Sequence, residues 1–279
     1  MDNSNLFDVK ASRWRVLVHV HFTDSSQGKV VLVTGGAKGI GRMISEGFVQ
    51  NGAIVYVSSR DAKACEQACK ELNALGKGRA DFIAADLYKE EDVKRIADEL
   101  KKRAGKLNVL VNNSGSNWGE SYDKYPSSAW DRVLTLNLKR VFQLTQAVTP
   151  LLEAGQTRAS PSRVINIGSI DGLRVPALET FAYSASKAGL HHMSRVLANH
   201  LGKRGITSNT IACGPFESKM MKSTLEKFKD VIEGGIPLGR IGSPEDVAGT
   251  CIWLSSRAGS FVNGATIALD GGSVIGAKL

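Results

Sequence analysis

Residues 30–41 read VVLVTGGAKGIG. A run of β-branched and aliphatic residues, Val30 to Val33, ends abruptly at Thr34-Gly35-Gly36. Gly39 and Gly41 then open a segment with apolar residues at helical spacing, Ile40, Ile44 and Phe48. Strand, tight turn and helix N-terminus in that order aim free backbone N–H groups at a phosphate. Glycine is needed there because a Cβ would hold a pyrophosphate away from the backbone. The spacing, T-G-x-x-x-G-x-G, is neither G-x-G-x-x-G nor the P-loop pattern. An ordinary strand-to-helix connection can also be glycine-rich, so the residues downstream decide between the two.

Beyond this stretch the chain alternates short β-type runs with helical segments. The runs fall at Val30–Thr34, Ile54–Ser58, Ala80–Ala84, Val109–Asn112, Arg163–Gly168, Thr207–Ala212 and Thr266–Leu269. The longest helical segments span about Ser127–Glu153 and Phe181–Arg204. Such alternation predicts an α/β fold: a doubly wound, Rossmann-type parallel seven-stranded sheet with helices on both faces. Ligands then sit at the carboxyl ends of the strands. Gly155–Ser162 (GQTRASPS) reads as a polar loop, and no internal repeat or linker is visible. One domain, residues 29–279, follows an N-terminal extension, residues 1–28.

The second run ends Val57-Ser58-Ser59-Arg60. A carboxylate at that strand end would hold the adenosine ribose and repel a 2′-phosphate. Ser59 and Arg60 stand there instead, with Lys38 in the glycine turn, which predicts NADP(H) as coenzyme. Arg60 as a plain surface arginine is the alternative; Asp61 suits the N-cap of the next helix. Further on, Tyr183 and Lys187 lie i, i+4 on one helical face, about 6 Å apart along the axis. A phenol with a pKa of about 10 is a poor acid or base near neutrality unless a cation stabilises its anion, and Lys187 supplies that charge. A Y-x-x-x-K pair alone is common. Here Ser169 ends the fifth strand and can hydrogen-bond a carbonyl oxygen, whereas the serine-hydrolase pattern G-x-S-x-G fails because Ile167 holds its first glycine position.

These motifs, in this order, resemble those of the short-chain dehydrogenase/reductase family, from about Gly28 to Gly272. The likeness is greatest to 3-oxoacyl carrier-protein reductases, particularly the rhamnolipid-biosynthesis type (IGS, GPF, SKM). The resemblance implies catalytic roles for Asn137, Ser169, Tyr183 and Lys187, with Asn137 ordering a water that links Lys187 to solvent. It implies a coenzyme site at Gly35, Lys38, Gly39, Ile40, Gly41, Ser59, Arg60, Asp86, Leu87 and Asn113, with Tyr183 and Lys187 contributing. Gly214, Phe216 and Ser218 are implied to contact the nicotinamide carboxamide. The family's N-N-A-G appears as Asn112-Asn113-Ser114-Gly115, and Cys213 replaces the proline of its P-G. Ser169 lies one residue further from Tyr183 than the commonest family spacing, the extra residue falling in a loop. A homotetramer packed through the two long helices is likewise implied.

Bulk properties narrow the remaining choices. The 279 residues are 42% hydrophobic and 23% charged, ordinary for a soluble globular protein. No apolar run is long enough to span a bilayer. The net charge of +9 invites a nucleic-acid reading, but the cations are spread along the chain without interleaved aromatics, so no nucleic-acid partner is expected. Four cysteines make no disulfide framework and have no histidine at metal spacing; they read as reduced thiols of a cytoplasmic protein that binds no metal. His191, His192 and His200 lack H-E-x-x-H spacing and read as surface or packing residues. Within the extension, Trp14 to Phe22 alternate apolar and polar residues like a strand, and residues 11–27 read as an insertion, either a contact arm or an unstructured addition.

Phe216, Met220, Met221, Leu225 and Phe228 form an apolar stripe that reads as a mobile lid, with buried helix packing as the alternative. The expected function is NADPH-dependent carbonyl reduction with Tyr183 as general acid, on a 3-oxoacyl thioester or other apolar ketone. The alternatives are an NADP-dependent polyol or sugar dehydrogenase and a non-catalytic coenzyme-binding protein.

Overall fold

A computed structural model describes residues 26–218 and 221–276. The strand-like run at 14–22, Lys219 and Met220 lie outside the described residues; of the insertion at 11–27, only Ser26 and Gln27 lie within them. Seven parallel strands form one sheet in the order β3-β2-β1-β4-β5-β6-β7. They are β1 (Val30–Thr34), β2 (Ile54–Ser59), β3 (Arg79–Ala84), β4 (Val109–Asn112), β5 (Ser162–Ile167), β6 (Ile206–Cys213) and β7 (Thr266–Leu269). The order reverses between β1 and β4, where Val31 pairs with Val109 and Val33 with Val111. A doubly wound sheet opens its ligand crevice at such a switch point.

The alternation of side chains along β1 divides the core in two. Val31 and Val33 face α1 (Gly39–Gln50), α2 (Ala62–Asn73) and α8 (Pro244–Ser255), packing with Ile44, Phe48, Leu72 and Leu254. Val30 and Leu32 face the other way, against α3 (Glu90–Ala104), α5 (Arg140–Gly155) and α6 (Phe181–Gly202), through Ile96, Leu144, Leu152 and Leu197. Burial on both faces is why these strands read as unbroken apolar runs.

Helix ends follow local chemistry. Asp61 Oδ1 accepts the Ala64 N–H at 3.0 Å and caps α2, as expected. Acidic residues fill the first turn of α3 and basic ones its last, matching the helix dipole, and Gly105 ends it at φ +67°. Ser243 and Asp246 form a capping box on α8. The far end of α8 meets one buried and one half-buried cation: Arg163 donates to the Leu254 and Ser256 carbonyls at 2.8 and 3.0 Å, and Lys29 to that of Ser255. Burial, aided by the Arg163 charge, brings the Lys29 ammonium down to about 8.

The segment Ser127–Glu153 differs from the single helix expected. It is α4 (Ser127–Leu134), a π-helical turn (Thr135–Lys139) and α5. Such π-turns gather at functional sites, and this one carries Asn137.

Candidate active site

The carboxyl ends of β1, β2, β4, β5 and β6 open into one cleft of about 760 Å³. Its floor is the glycine turn. Gly35 and Gly39 take positive φ, +66° and +55°, which a side chain rarely adopts. At Gly41 a Cβ would sit 2.3 Å from the Gly35 carbonyl oxygen and 2.4 Å from Asn113 Nδ2, so the helix start closes on the turn only without a side chain. Thr34 ties this floor across the switch point: its Oγ1 accepts the N–H of Asn113 at 2.9 Å and of Ser114 at 3.0 Å, while Asn113 Nδ2 donates to its carbonyl at 2.8 Å. These backbone groups and the bare approach fit a pyrophosphate.

Most of the sequence-derived candidates lie around this cleft. Gly35, Lys38, Gly39, Ile40, Ser59, Arg60, Asp86, Leu87, Asn113, Ser169, Tyr183, Lys187, Gly214, Phe216 and Ser218 line it; Gly41 and Asn137 stand behind its wall. Gly39 brings Ser218 close, since a Cβ there would lie 3.3 Å from the Ser218 Cβ. Asp86 Oδ1 accepts the Tyr88 N–H at 3.1 Å, which shapes that side of the cleft.

At the end of β2 a carboxylate stands closer to the cations than the sequence suggested. Lys38 Nζ lies 3.1 Å from Asp61 Oδ2, so Asp61 both caps α2 and pairs with the lysine. Both side chains are half-exposed or more, so water screens the pair and it contributes little. Charge-assisted contacts to a phosphate are stronger, about 1.5–3 kcal/mol, so this exposed pair leaves Lys38 available to one. Arg60 has no partner among the described residues.

The reacting end is built on β5 and α6. Ser169 caps a short turn, Ile170–Gly172, and its Oγ accepts the Asp171 N–H at 3.1 Å. That contact uses the hydroxyl oxygen and not its proton. Tyr183 lies beside it: burial raises its phenol well above the usual range, and a hydrogen bond with Ser169 opposes the rise. Lys187 Nζ sits 5.5 Å from the Tyr183 ring centre and donates to the Ile167 carbonyl at 2.8 Å. Burial brings its ammonium down to about 8. Asn137 is held from three directions: Oδ1 accepts the Ser116 N–H at 2.8 Å, and Nδ2 donates to the Ser116 carbonyl at 2.9 Å and to Ser186 Oγ at 3.0 Å.

One residue departs from its sequence reading. Phe216 is 2% exposed, and its ring fills the space where a Cβ on Gly242 would lie 2.3 Å away. It anchors the root of the 214–234 segment and does not belong to a mobile stripe. Of the other lid candidates, Phe228 is 53% exposed and breaks the helical path of α7 (Lys222–Gly234) at φ −134°, and Met221 lines the cleft.

His191 is a buried packing residue, but its place bears on the site. Its Nε2 faces the Ser169 N–H at 3.5 Å, and a Cβ at Gly168 or Gly172 would run into its ring at 2.3 and 2.8 Å. Burial first, then the Lys187 and Arg195 charges, bring its imidazole down to about 4, so it is neutral. Only the tertiary fold places it there; the neighbouring histidine His192 is exposed. Cys213 is buried at the cleft, its thiol pushed up to about 12 by desolvation. Among the described residues no group of three or more His, Cys, Asp or Glu could hold a metal, and no helix is long and apolar enough to cross a membrane.

Comparison with known proteins places this geometry in context. Residues 35–273 match a family profile described as enoyl-(acyl carrier protein) reductase. The chain is 40% identical over 257 residues to the rhamnolipids biosynthesis 3-oxoacyl-[acyl-carrier-protein] reductase of Pseudomonas aeruginosa, covering 91% of this chain and 99% of that protein. It is 33% identical to the 3-oxoacyl-[acyl-carrier-protein] reductase FabG of Thermotoga maritima, covering 89% and 99%. Among solved structures, the Pseudomonas aeruginosa RhlG/NADP active-site complex superposes with a TM-score of 0.87 at 39% identity, covering 91% of this chain and 99% of that one.

Proposed function

We propose that this chain, which belongs to the short-chain dehydrogenase/reductase family, is an NADP(H)-dependent oxidoreductase that reduces a 3-oxoacyl thioester or similar apolar ketone. The observation that carries this reading is a single cleft shared by the glycine turn, by Ser59 and Arg60, and by Ser169, Tyr183 and Lys187.

When bound, NADPH supplies the hydride; the protein's own groups do the rest. Gly35, Lys38, Gly39, Ile40 and Gly41 hold the pyrophosphate, and Lys38, Ser59 and Arg60 the 2′-phosphate. Asp86, Leu87 and Asn113 flank the adenosine side, and Gly214, Phe216 and Ser218 fix the carboxamide. Ser169 donates its hydroxyl hydrogen bond to the substrate oxygen, and Tyr183 delivers the proton as charge develops there. One such preplaced donor is worth about 2.7–4 kcal/mol in the transition state. Lys187 favours the phenolate left behind and holds the coenzyme ribose. Asn137, locked by Ser116 and Ser186, keeps a carbonyl and water path open to Lys187.

The apolar lining, Leu136, Pro176, Leu178, Phe228 and Ile232, suits an acyl chain. Arg132, Asp171 and Arg174 in the same cleft are partners that a polyol site would also need, so an NADP-dependent polyol or sugar dehydrogenase is the second reading. A non-catalytic coenzyme binder is disfavoured because Asn137, Ser169, Tyr183 and Lys187 are all retained. A homotetramer in a reducing cytoplasm completes the proposal: Trp130, Phe142 and Val196 leave apolar area exposed on α4, α5 and α6 for helix-to-helix contact. Residues 1–28 are taken as an extension carrying an insertion at 11–27.

The test is NADPH oxidation with a 3-oxoacyl thioester, an apolar diketone and a ketose side by side. Highest kcat/KM for the thioester or diketone supports the reading. A tenfold preference for the ketose, about 1.4 kcal/mol in transition-state binding, puts the polyol reading in its place.

A further inference from the structure

Arg174 has a charge and a fixed position in the cleft that the reaction described above does not use. Its backbone N–H donates to the Ile170 carbonyl at 2.9 Å, closing the turn that begins at Ser169. That turn is pressed onto α6: a Cβ at Gly172 would meet the Ala188 nitrogen at 2.7 Å and the Lys187 carbonyl carbon at 2.8 Å. The Arg174 side chain is pinned as well. Nη1 donates to the carbonyl and hydroxyl oxygens of Ser273 at 3.1 and 3.0 Å, on the turn that follows β7.

Nε is buried without an acceptor, whereas Nη2 is not buried and makes no hydrogen bond among the described residues. A guanidinium offers five N–H donors in a rigid fork, and an unmet donor away from water is costly. Arg174 lines the same cleft as Ser169, Asp171 and Tyr183, on the turn that Ser169 begins, and its charge acts on Asp171. A bare tie between two loops would not need a rigid, half-used fork at this place.

We propose that Arg174 is a specificity residue that binds a second carbonyl oxygen of the substrate, the thioester or ester oxygen of a 3-oxoacyl compound. The ketone oxygen lies on Ser169 and Tyr183, and the acceptor two carbons away lies on the free edge of Arg174. Asp171, in the same wall, is a partly buried carboxyl whose proton affinity burial raises and the Arg174 charge lowers. Its negative charge offsets that of Arg174, which favours a neutral carbonyl over a carboxylate. The inference rests on the ketone-reductase reading and narrows its substrate to 1,3-dicarbonyl compounds.

The experiment measures NADPH oxidation by wild type, Arg174→Met, Arg174→Lys and Ser273→Ala. The substrates are acetoacetyl-N-acetylcysteamine, acetoacetate as the free acid, and a monofunctional ketone, 2-heptanone. Arg174→Met should lose at least tenfold in kcat/KM on the thioester, mainly through KM, and less than threefold on 2-heptanone. Arg174→Lys should recover part of the loss, and Ser273→Ala, which keeps the guanidinium and the backbone acceptor, should stay within threefold on both. Wild type should prefer the thioester to acetoacetate. Equal losses on thioester and monoketone in Arg174→Met, or wild-type preference for the free acid, would overturn the assignment. Absence of NADPH oxidation by wild type with any ketone would instead strike the reductase reading itself.

Discussion

Replacing Gly41 by alanine probes the coenzyme floor through a contact whose size is fixed by the backbone. The added Cβ would stand 2.3 Å from the Gly35 carbonyl oxygen and 2.4 Å from Asn113 Nδ2. Ordinary contact begins near 3.4 Å, so backbone on one side must retreat by about 1 Å. Neither side yields cheaply: Gly35 donates its N–H to the Ser58 carbonyl at 2.7 Å, and Asn113 Nδ2 holds the Thr34 carbonyl at 2.8 Å. Overpacking of this kind costs about 1–3 kcal/mol, and losing the Asn113 bond about 0.5–1.5 more. The expected outcome for Gly41→Ala is a loss of about 2–4 kcal/mol in a urea titration. NADPH affinity, read by nucleotide fluorescence, should weaken at least tenfold because the displaced turn is the proposed pyrophosphate cradle. Gly249→Ala is the control: it lies inside α8, is exposed and has nothing within 4 Å, so alanine should stabilise by about 0.5–1 kcal/mol and leave NADPH affinity unchanged. Wild-type urea midpoint and wild-type affinity in Gly41→Ala would refute the reasoning.

NADPH should be preferred over NADH, because the phosphate contacts of Lys38 and Arg60 exceed the exposed Lys38–Asp61 pair; Ser59→Asp with Arg60→Ala should move the kcat/KM ratio toward NADH, and equal use of both coenzymes by wild type would contradict this. Lys187, lowered to about 8 by burial, loses its charge as pH rises through 8, while the buried Tyr183 phenol stays protonated. Reduction measured as kcat/KM should therefore be level near neutrality and fall above about pH 8; a level profile across the alkaline range opposes that assignment. His191 has a folded pKa of about 4 against an ordinary 6.5, so between those values the unfolded chain binds more protons. Its contribution to stability is present above pH 6.5 and is lost as pH falls toward 4, and His191→Leu should show a shallower acid loss of Tm than wild type; identical acid slopes count against it.

What the sequence made legible was mostly local. Val30–Val33 and the other strands are buried on both faces, so their apolar runs needed no tertiary knowledge to find. Asp61 announces its cap because capping involves only its own backbone neighbours. Tyr183 and Lys187 share one helix, and Ser169 follows β5 directly, so motif spacing already carried their proximity. Other features depend on elements distant in sequence. The π-turn at 135–139 hides in an unbroken helical pattern, since one extra residue per turn barely alters apolar spacing. Phe216 looked like part of an exposed stripe because its partner, Gly242, comes from another segment. His191 beneath Ser169, the Lys38–Asp61 pair and the Arg174–Ser273 tie likewise join side chains that only the folded sheet brings together.

If Tyr183 gives the proton to a ketone reduced with NADPH, as proposed, Tyr183→Phe should remove that step alone, because only the phenolic oxygen is lost. Steady-state NADPH oxidation with a 3-oxoacyl thioester should be measured beside NADPH affinity by fluorescence in the same preparation. Turnover should fall by about 10²–10⁴, the usual contribution of general acid–base catalysis, while NADPH affinity stays within about threefold of wild type. Wild-type turnover in Tyr183→Phe would contradict the account.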